Sequence, residues 1–346
     1  QVGNYPFTTI EPNVGIVPVP DQRLEKLAQI TKEEEKMGSL PPLKPATVEF
    51  VDIAGLVKGA SEGAGLGNKF LSHIREVQII THVVRAFADP LASSGQAPIL
   101  REGAVDPKTD YETIEMELML ADLAAVQLQQ SKMKRFQNQS EKDAVDKLFK
   151  ALSAGIPARD VPLTEEEAAF AKTLFLLSGK LEIVVLNVSE ADYTPAVIAK
   201  VMQDYSGMLN ISLENIIVIC AKVESELSEL SLEEQKEYLA DLGLEASGLE
   251  RLIQKAYEQL GLLSFLTCGE KEVRAWTIKK GTNAQNAAGT IHNDFIKHFI
   301  KAEVVSFQDF ISVGGWKKAR EKGKARFEGK EYIVKDGDVI EFKIGQ

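Results

Sequence analysis

Short, β-rich apolar runs alternate with helical patterns along this sequence, and that alternation restricts the fold more than any other feature. Each run is followed by a polar loop, and the runs lie at Gly15–Val19, Ala46–Val51, Ile79–Phe87, Ile183–Leu186 and Ile216–Cys220. A helix is predicted over Asn68–Val77, between the second run and the third. Strands that alternate with helices favour an α/β fold with a doubly wound, mainly parallel sheet.

A heptad pattern separates the third run from the fourth. Apolar residues recur at alternating steps of four and three, at Ile114, Leu118, Ala121, Ala125 and Leu128. After a polar stretch a second segment repeats the pattern, at Val145, Leu148 and Leu152. We predict an antiparallel helical coiled coil inserted into the α/β domain, and the alternative is two ordinary amphipathic helices of that domain.

The last part of the chain has the pattern of a small α+β domain. Predicted strands at Val273–Ile278 and Ile300–Val305 flank a predicted helix at Ala284–Phe295, and Ala325–Ile344 is rich in hairpin signals. The predicted division assigns the α/β domain to residues 1–110 and 159–262, the coiled coil to 111–158 and the α+β domain to 263–346.

Charge is distributed unevenly along the chain. The net charge of −11 argues against a dedicated nucleic-acid binder, yet residues 271–330 contain 13 Lys and Arg against 6 Asp and Glu. A basic region on an acidic body predicts a face that meets a phosphate backbone, and a solvated basic surface is the alternative.

The sequence has no feature of a membrane or secreted protein. No apolar run approaches a membrane span, and the opening residues lack a secretory pattern. Cys220 and Cys268 are too few for a disulfide framework or a cysteine zinc site. These features predict a cytoplasmic protein without a membrane partner.

The strongest local motif is a hydrophobic strand that ends in Asp-x-x-Gly, from Asp52 to Gly55. P-loop nucleotidases use this arrangement to place a carboxylate near Mg²⁺ and a glycine N–H at the γ-phosphate. The glycine-rich stretch Leu56–Asn68 follows at once, and its composition suits a mobile switch loop. The phosphate-binding pattern G-x-x-x-x-G-K-[ST] occurs nowhere in the sequence.

Three motifs together resemble the YchF/Obg-like ATPase family of TRAFAC P-loop nucleotidases: Asn4–Asn13, the Asp52–Asn68 loop and Glu272–Thr277. The resemblance spans nearly the whole chain. It implies a P-loop NTPase domain (G domain) with an inserted coiled coil and a C-terminal TGS domain of β-grasp fold. The P-loop of that family lies upstream of the first motif, so we interpret the sequence as starting downstream of it and expect hydrolysis only when that segment is present.

The resemblance also implies roles for the phosphate-side residues. Thr9 and Asp52 correspond to residues that hold Mg²⁺, and Gly55 to the glycine that senses the γ-phosphate. Leu56 stands where Ras-like enzymes carry a glutamine that orients the attacking water. Because leucine has no donor or acceptor, we expect slow hydrolysis or activation by a partner or a monovalent cation such as K⁺.

The base-side residues follow two predicted strands. Guanine-specific enzymes carry Asn-Lys-x-Asp, whereas this sequence has Asn187, Val188, Ser189 and Glu190. Loss of the paired guanine acceptor removes discrimination, so we predict a preference for ATP over GTP. The second loop contributes Cys220, Ala221 and Lys222, whose backbone is expected to touch the base edge. Phe87 is a candidate for the adenine pocket, although core packing is its favoured role.

No residue is assigned as a catalytic acid or base, and Gly55 and Leu56 are named only as switch II candidates. The family carries a histidine in the loop after the third strand, but this sequence has none there. His73 and His82 are predicted to be satisfied structural histidines.

The sequence therefore predicts a monomeric, Mg²⁺-dependent ATPase that acts as a switch. Its expected partner is the ribosome or ribosomal RNA, reached through the TGS domain and the coiled coil. The alternatives are a non-catalytic nucleotide- or RNA-binding adaptor and a GTPase with relaxed base selectivity.

Overall fold

A computed structural model describes residues 13–52, 66–87, 105–132 and 138–345 of the chain. The chain forms two compact units. The first unit comprises residues 1–15 and 51–251, and the second unit comprises residues 16–50 and 252–346. The predicted four-part division of the chain remains a prediction.

The described elements are as follows. In chain order the strands are β1 (Asn13–Pro18), β2 (Leu43–Lys44), β3 (Thr47–Asp52), β4 (Ile79–Arg85), β5 (Leu181–Asn187), β6 (Ile216–Ile219), β7 (Leu262–Cys268), β8 (Val273–Lys279), β9 (Phe299–Ser306), β10 (Arg326–Glu328) and β11 (Asp338–Ile344). The helices are α1 (Arg23–Glu34), α2 (Leu66–Glu76), α3 (Pro107–Ser131), α4 (Gln139–Ser153), α5 (Glu165–Lys172), α6 (Pro195–Leu209), α7 (Ala221–Leu227), α8 (Leu232–Asp241), α9 (Gly248–Gln259), α10 (Ala284–Ile291), α11 (Asp294–Lys297), α12 (Phe307–Val313) and α13 (Trp316–Glu321). Within the described residues, no helix is long and apolar enough to cross a bilayer.

The first unit is organised around a parallel sheet in the order β4-β5-β6. Residues 182–186 of β5 are all buried, as expected for a central parallel strand that is covered on both faces. This sheet and its helices confirm the predicted α/β class. The third predicted strand ends at Arg85 instead of Phe87, and β1 pairs with β3 in a separate two-stranded sheet.

Helices α3 and α4 pack together, but the predicted heptad seam is wrong for α3. Met119 and Val126 of α3 pack against α4, through its predicted residues Val145, Leu148 and Leu152. Leu118 instead packs with Leu71, Ile74 and Leu177, and Leu128 is 56% exposed. The seam was misassigned because α3 has two apolar faces, and the heptad followed the face that meets the rest of the unit.

The second unit contains a six-stranded sheet in the order β10-β9-β11-β7-β8-β2. Strand β11 runs parallel to β7 and antiparallel to β9, and β7 and β8 form an antiparallel pair. Helix α10 packs its buried alanines against this sheet, which confirms the predicted β-grasp arrangement. The predicted helix Ala284–Phe295 is interrupted, because His292 has extended backbone angles (φ −157°, ψ 135°).

Residues 16–50 complete the second unit. Helix α1 buries Leu24, Leu27 and Ala28 in a core that also contains Phe310 and Val339. The Glu34 carboxylate at the end of α1 accepts hydrogen bonds from the first two backbone N–H groups of α13, at 3.0 and 2.6 Å. Sequence patterns alone did not predict this association.

Candidate functional site

The carboxyl end of the parallel sheet brings together the predicted base-binding residues. The strand register aligns Arg85 of β4 with Asn187 of β5, and Asn187 with Ile219 of β6. Phe87, the 187–190 segment and the 220–222 segment follow these three strand ends directly. Open α/β sheets bind ligands at the carboxyl ends of their strands, so this edge is the candidate site.

Asn187 joins the two loops at this edge. Its side-chain Oδ1 accepts a hydrogen bond from the backbone N–H of Ala221 at 3.0 Å, at the start of α7. The backbone N–H of Val188 donates to the carbonyl of Ile219 at 2.9 Å, and that of Ala86 donates to the carbonyl of Asn187 at 2.8 Å. These bonds fix the relative position of the loops that follow all three strands.

Val188 and Cys220 contribute their side chains to the core. They are 3% and 1% exposed, respectively, and they pack with Val184, Leu186 and Val218. The aliphatic side chain at position 188 therefore occupies the protein interior, where the lysine of the guanine motif would be a buried charge.

Glu190 and Lys222 form an ion pair across the two loops. Both side chains are exposed, and the hydrogen bond to Glu190 raises the pKa of the Lys222 ammonium group above its usual value. Lys222 also lies 3.8 Å from Glu226, one turn later in α7. Ser189 donates its hydroxyl to Asp192 at 2.7 Å and does not join this pair. The carboxylate that occupies the guanine-acceptor position thus already has a cationic partner.

Phe87 lies at the same edge and is half-buried. The Arg85 guanidinium stacks over its ring, with its central carbon 4.5 Å from the ring centroid. This contact provides Phe87 with a packing role beyond the core of the sheet.

The phosphate-side residues are only partly described. Asp52 ends β3 with an exposed carboxylate, and a free carboxylate is the type of oxygen ligand that Mg²⁺ uses. Thr9, Gly55 and Leu56 lie outside the described residues. Their predicted roles therefore remain predictions.

Sequence reasoning missed a buried polar cluster beneath the sheet edge. The Arg159 guanidinium lies 2.5 Å from Glu115 Oε2 and 2.6 Å from Glu182 Oε2. Nε2 of His82 faces the other oxygens of these carboxylates, 3.5 Å from Glu115 Oε1 and 3.9 Å from Glu182 Oε1. The signal was present, because His82 and Glu182 interrupt two otherwise apolar strands, but their pairing required the register.

Burial changes the protonation of this cluster. Desolvation lowers the pKa of His82 to about 4, so its imidazole is neutral near pH 7. Desolvation also raises the pKa values of Glu115 and Glu182 above their usual range, and the Arg159 charge opposes that rise. His82 is therefore buried as predicted, but it is not a satisfied histidine.

Comparisons with known proteins show extensive similarity. A family model for the YchF GTPase C-terminal domain, described as a protein of unknown function (DUF933), matches residues 262–345. A second model, described as 50S ribosome-binding GTPase, matches residues 1–108.

Two relatives and one solved structure align with almost the whole chain. The ribosome-binding ATPase YchF of Bacillus subtilis (strain 168) is 47% identical over 355 residues, covering 99% of this chain and 92% of that protein. The protein of the same name from Escherichia coli O157:H7 is 42% identical, with the same coverage. The Schizosaccharomyces pombe YchF GTPase structure has a TM-score of 0.80 at 34% identity, covering 98% of this chain and 90% of that one.

Proposed function

This chain belongs to the YchF family, and we propose that it hydrolyses ATP in preference to GTP as a molecular switch that binds the ribosome. The observation that carries the base preference is the Glu190–Lys222 ion pair at the carboxyl end of the sheet. A guanine-binding aspartate accepts two hydrogen bonds from its base and needs a free carboxylate. Since Glu190 is neutralised by Lys222, the site lacks that acceptor and does not select guanine.

Mg²⁺ completes the proposed site on the phosphate side. Asp52 and Thr9 would hold the ion, which neutralises charge on the β- and γ-phosphate oxygens when it is bound. Gly55 would offer its backbone N–H to the γ-phosphate. Leu56 cannot orient water, so we propose that hydrolysis is slow until a ribosomal partner or K⁺ completes the site.

A competitive titration tests the base preference. In the full-length protein, unlabelled ATP should displace labelled ATP at a lower concentration than GTP does. Lys222→Met should then free the Glu190 carboxylate and reduce the ratio of the GTP Kd to the ATP Kd by about tenfold, the effect of ~1.4 kcal/mol. Lys200→Met, a change at an exposed lysine of α6, is the matched control.

The proposal fails if GTP displaces ATP at the lower concentration in the unchanged protein. An unaltered Kd ratio in Lys222→Met would instead reject the ion pair as the cause of the preference. Hydrolysis of ATP measured in the same samples separates a switch from a non-catalytic adaptor, because an adaptor binds nucleotide without turnover.

The ribosome contact is proposed for the coiled coil (111–158) and the TGS domain (263–346), in a monomeric cytoplasmic protein. The basic segment 317–326 of the TGS domain is exposed, but several of its charges already have partners. Arg320 pairs with Glu303 and Glu341, Lys324 pairs with Asp309, and Arg326 pairs with Glu328. Among the described residues, no ion pair is recorded for Lys318 or Lys322, so these two are the strongest candidates for phosphate contacts.

Charge reversal tests this surface. Lys318→Glu, Lys322→Glu and Arg326→Glu together should weaken ribosome binding and flatten its salt dependence, because each lost phosphate contact releases fewer counterions. Lys26→Glu, Lys279→Glu and Lys280→Glu make the same charge change at exposed sites outside the segment. Equal co-sedimentation of both triple variants with ribosomes at every salt concentration would remove this segment from the interface.

A further inference from the structure

Three ligand atoms converge inside the first unit. Nε2 of His82 and the Oε1 atoms of Glu115 and Glu182 all lie within 4.8 Å of one another. The side chains are 4%, 8% and 7% exposed. In the part of the chain that the structure describes, none of the three atoms has a hydrogen-bond partner. A buried polar atom without a partner is costly, so this arrangement requires an additional group.

Arg159 does not supply that group. Its guanidinium contacts the Oε2 atoms of Glu115 and Glu182, on the far side of each carboxylate from His82. This double contact orients both carboxylates and leaves their Oε1 atoms directed toward the imidazole. The cluster is therefore positioned but incomplete.

The charge of the cluster indicates what is missing. Asp160 follows Arg159, and its charge contributes to the raised pKa of Glu182. With Glu115 and Glu182 ionised, three carboxylates and one guanidinium leave two net negative charges, the charge that one divalent cation neutralises. His82 is neutral near pH 7, so its ring nitrogen needs no deprotonation before it binds a metal.

We propose that His82, Glu115 and Glu182 bind one divalent metal ion of the zinc class. In a tetrahedral site with bonds of ~2.0–2.1 Å, ligand atoms lie about 3.4 Å apart. The His82 Nε2 atom lies 3.5 and 3.9 Å from the two oxygens, close to that spacing. The imidazole ligand favours zinc, cobalt or nickel over Mg²⁺, so this site is chemically distinct from the nucleotide site.

The metal would join three segments of the first unit. His82 lies on β4, Glu182 on the neighbouring β5, and Glu115 on α3, which covers that face of the sheet. Strands β4 and β5 lead directly to the candidate nucleotide site. The ion is therefore proposed to fix the sheet beneath the base loops, and water fills the fourth coordination position.

Cobalt binding to the nucleotide-free, chelator-treated full-length protein tests the proposal. We expect one Co²⁺ per chain, with the strong visible absorption of a tetrahedral site, and we expect excess Mg²⁺ to leave it bound. An apoprotein that retains no Co²⁺, or that shows only the weak absorption of hydrated Co²⁺, would overturn the proposal. Since no nucleotide is present, this result does not depend on the proposed ATPase activity.

Single substitutions identify the ligands. His82→Gln and Glu182→Gln should each raise the Co²⁺ Kd by more than the roughly 10–100-fold cost of losing an outer-shell partner. The control is His292→Gln, since His292 also lies near a carboxylate, 3.6 Å from Asp294, but is exposed. Equal loss of Co²⁺ in the control, or none in the two variants, would contradict the assignment. If the variants do not fold, the measurement on the unchanged protein still decides.

Discussion

The second unit supplies a hydrogen-bond partner to each of its buried polar side chains Thr31, Ser264, Glu303 and Asp338. The first unit does the same for Asp122, which is fully buried and accepts three hydrogen bonds, but not for the cluster around His82. A partnered buried group specifies the fold, whereas an unpartnered group indicates a missing ligand. The difference separates a structural module from a module built to bind.

The tryptophans make this comparison measurable. Trp276 and Trp316, the two tryptophans of the sequence, both lie in the second unit. Their fluorescence reports unfolding of the second unit, whereas far-ultraviolet circular dichroism reports both units. Non-coincident transitions are therefore expected from a variant that weakens one unit alone.

The largest effect is expected from Phe310→Ala in the second unit. Phe310 is fully buried and packs edge-on against Trp316, with ring centroids 5.3 Å apart. Its truncation should lower the free energy of unfolding by about 4 kcal/mol, through lost burial and the remaining cavity. Urea titration followed by tryptophan fluorescence measures the change. Phe327→Ala, at a site that is 61% exposed, should change it by less than about 0.5 kcal/mol.

Asp122→Ala should produce the next largest effect, in the first unit. The Asp122 carboxylate accepts from the backbone N–H groups of Leu177 and Ser178 at 2.8 and 2.7 Å. Its removal leaves these buried donors without an acceptor and should cost about 3 kcal/mol. The circular dichroism transition should move to lower urea, while the fluorescence transition stays in place. A shift of both transitions together would show that the units do not unfold separately.

Glu34→Ala tests a smaller contribution in the second unit. The carboxylate caps α13, so its loss should cost about 1 kcal/mol, the usual effect of an N-cap. Tryptophan fluorescence measures this change directly, because Trp316 is the first residue of α13. Glu35→Ala removes the neighbouring exposed carboxylate and is the control. Equal midpoints for the two variants would reject the capping role.

The smallest effect is a pH dependence at Glu303. The hydrogen bond from Arg320 holds the pKa of the Glu303 carboxyl below its usual value. A lowered folded-state pKa contributes stability that is present above the unfolded-state pKa of about 4.3 and is lost as pH falls through the folded value. Because Arg320 is half exposed, we expect less than about 1 kcal/mol. Glu303→Gln should lose this contribution, so its difference from the unchanged protein should shrink below pH 4, measured by urea titration.

The sequence predicted the features that depend on local pattern. The apolar run at Ile183–Leu186 lies within β5, and the loops after β5 and β6 meet as expected for neighbouring parallel strands. Local pattern did not predict which apolar face of α3 would meet α4, because both faces satisfy helical spacing. The association of α1 with the second unit depends on residues far apart in the chain and has no local signal.

The candidate site shows the same limit. The residue types at positions 187–190 predicted a weakened guanine acceptor, but the partner of Glu190 became evident only from the geometry of two loops. His82 has the composition of an ordinary strand histidine. Only the pairing of β4 with β5 and the position of α3 show that it faces two carboxylates.

The division of the second unit into residues 16–50 and 252–346 has a consequence for synthesis. A ribosome that translates this chain makes α1 first and its packing partners last, with residues 51–251 between them. The apolar face of α1 must therefore remain uncovered during translation until the C-terminal segment emerges. Early termination anywhere before α12 leaves a nascent chain with an exposed hydrophobic helix, which is the kind of segment that chaperones and proteases recognise.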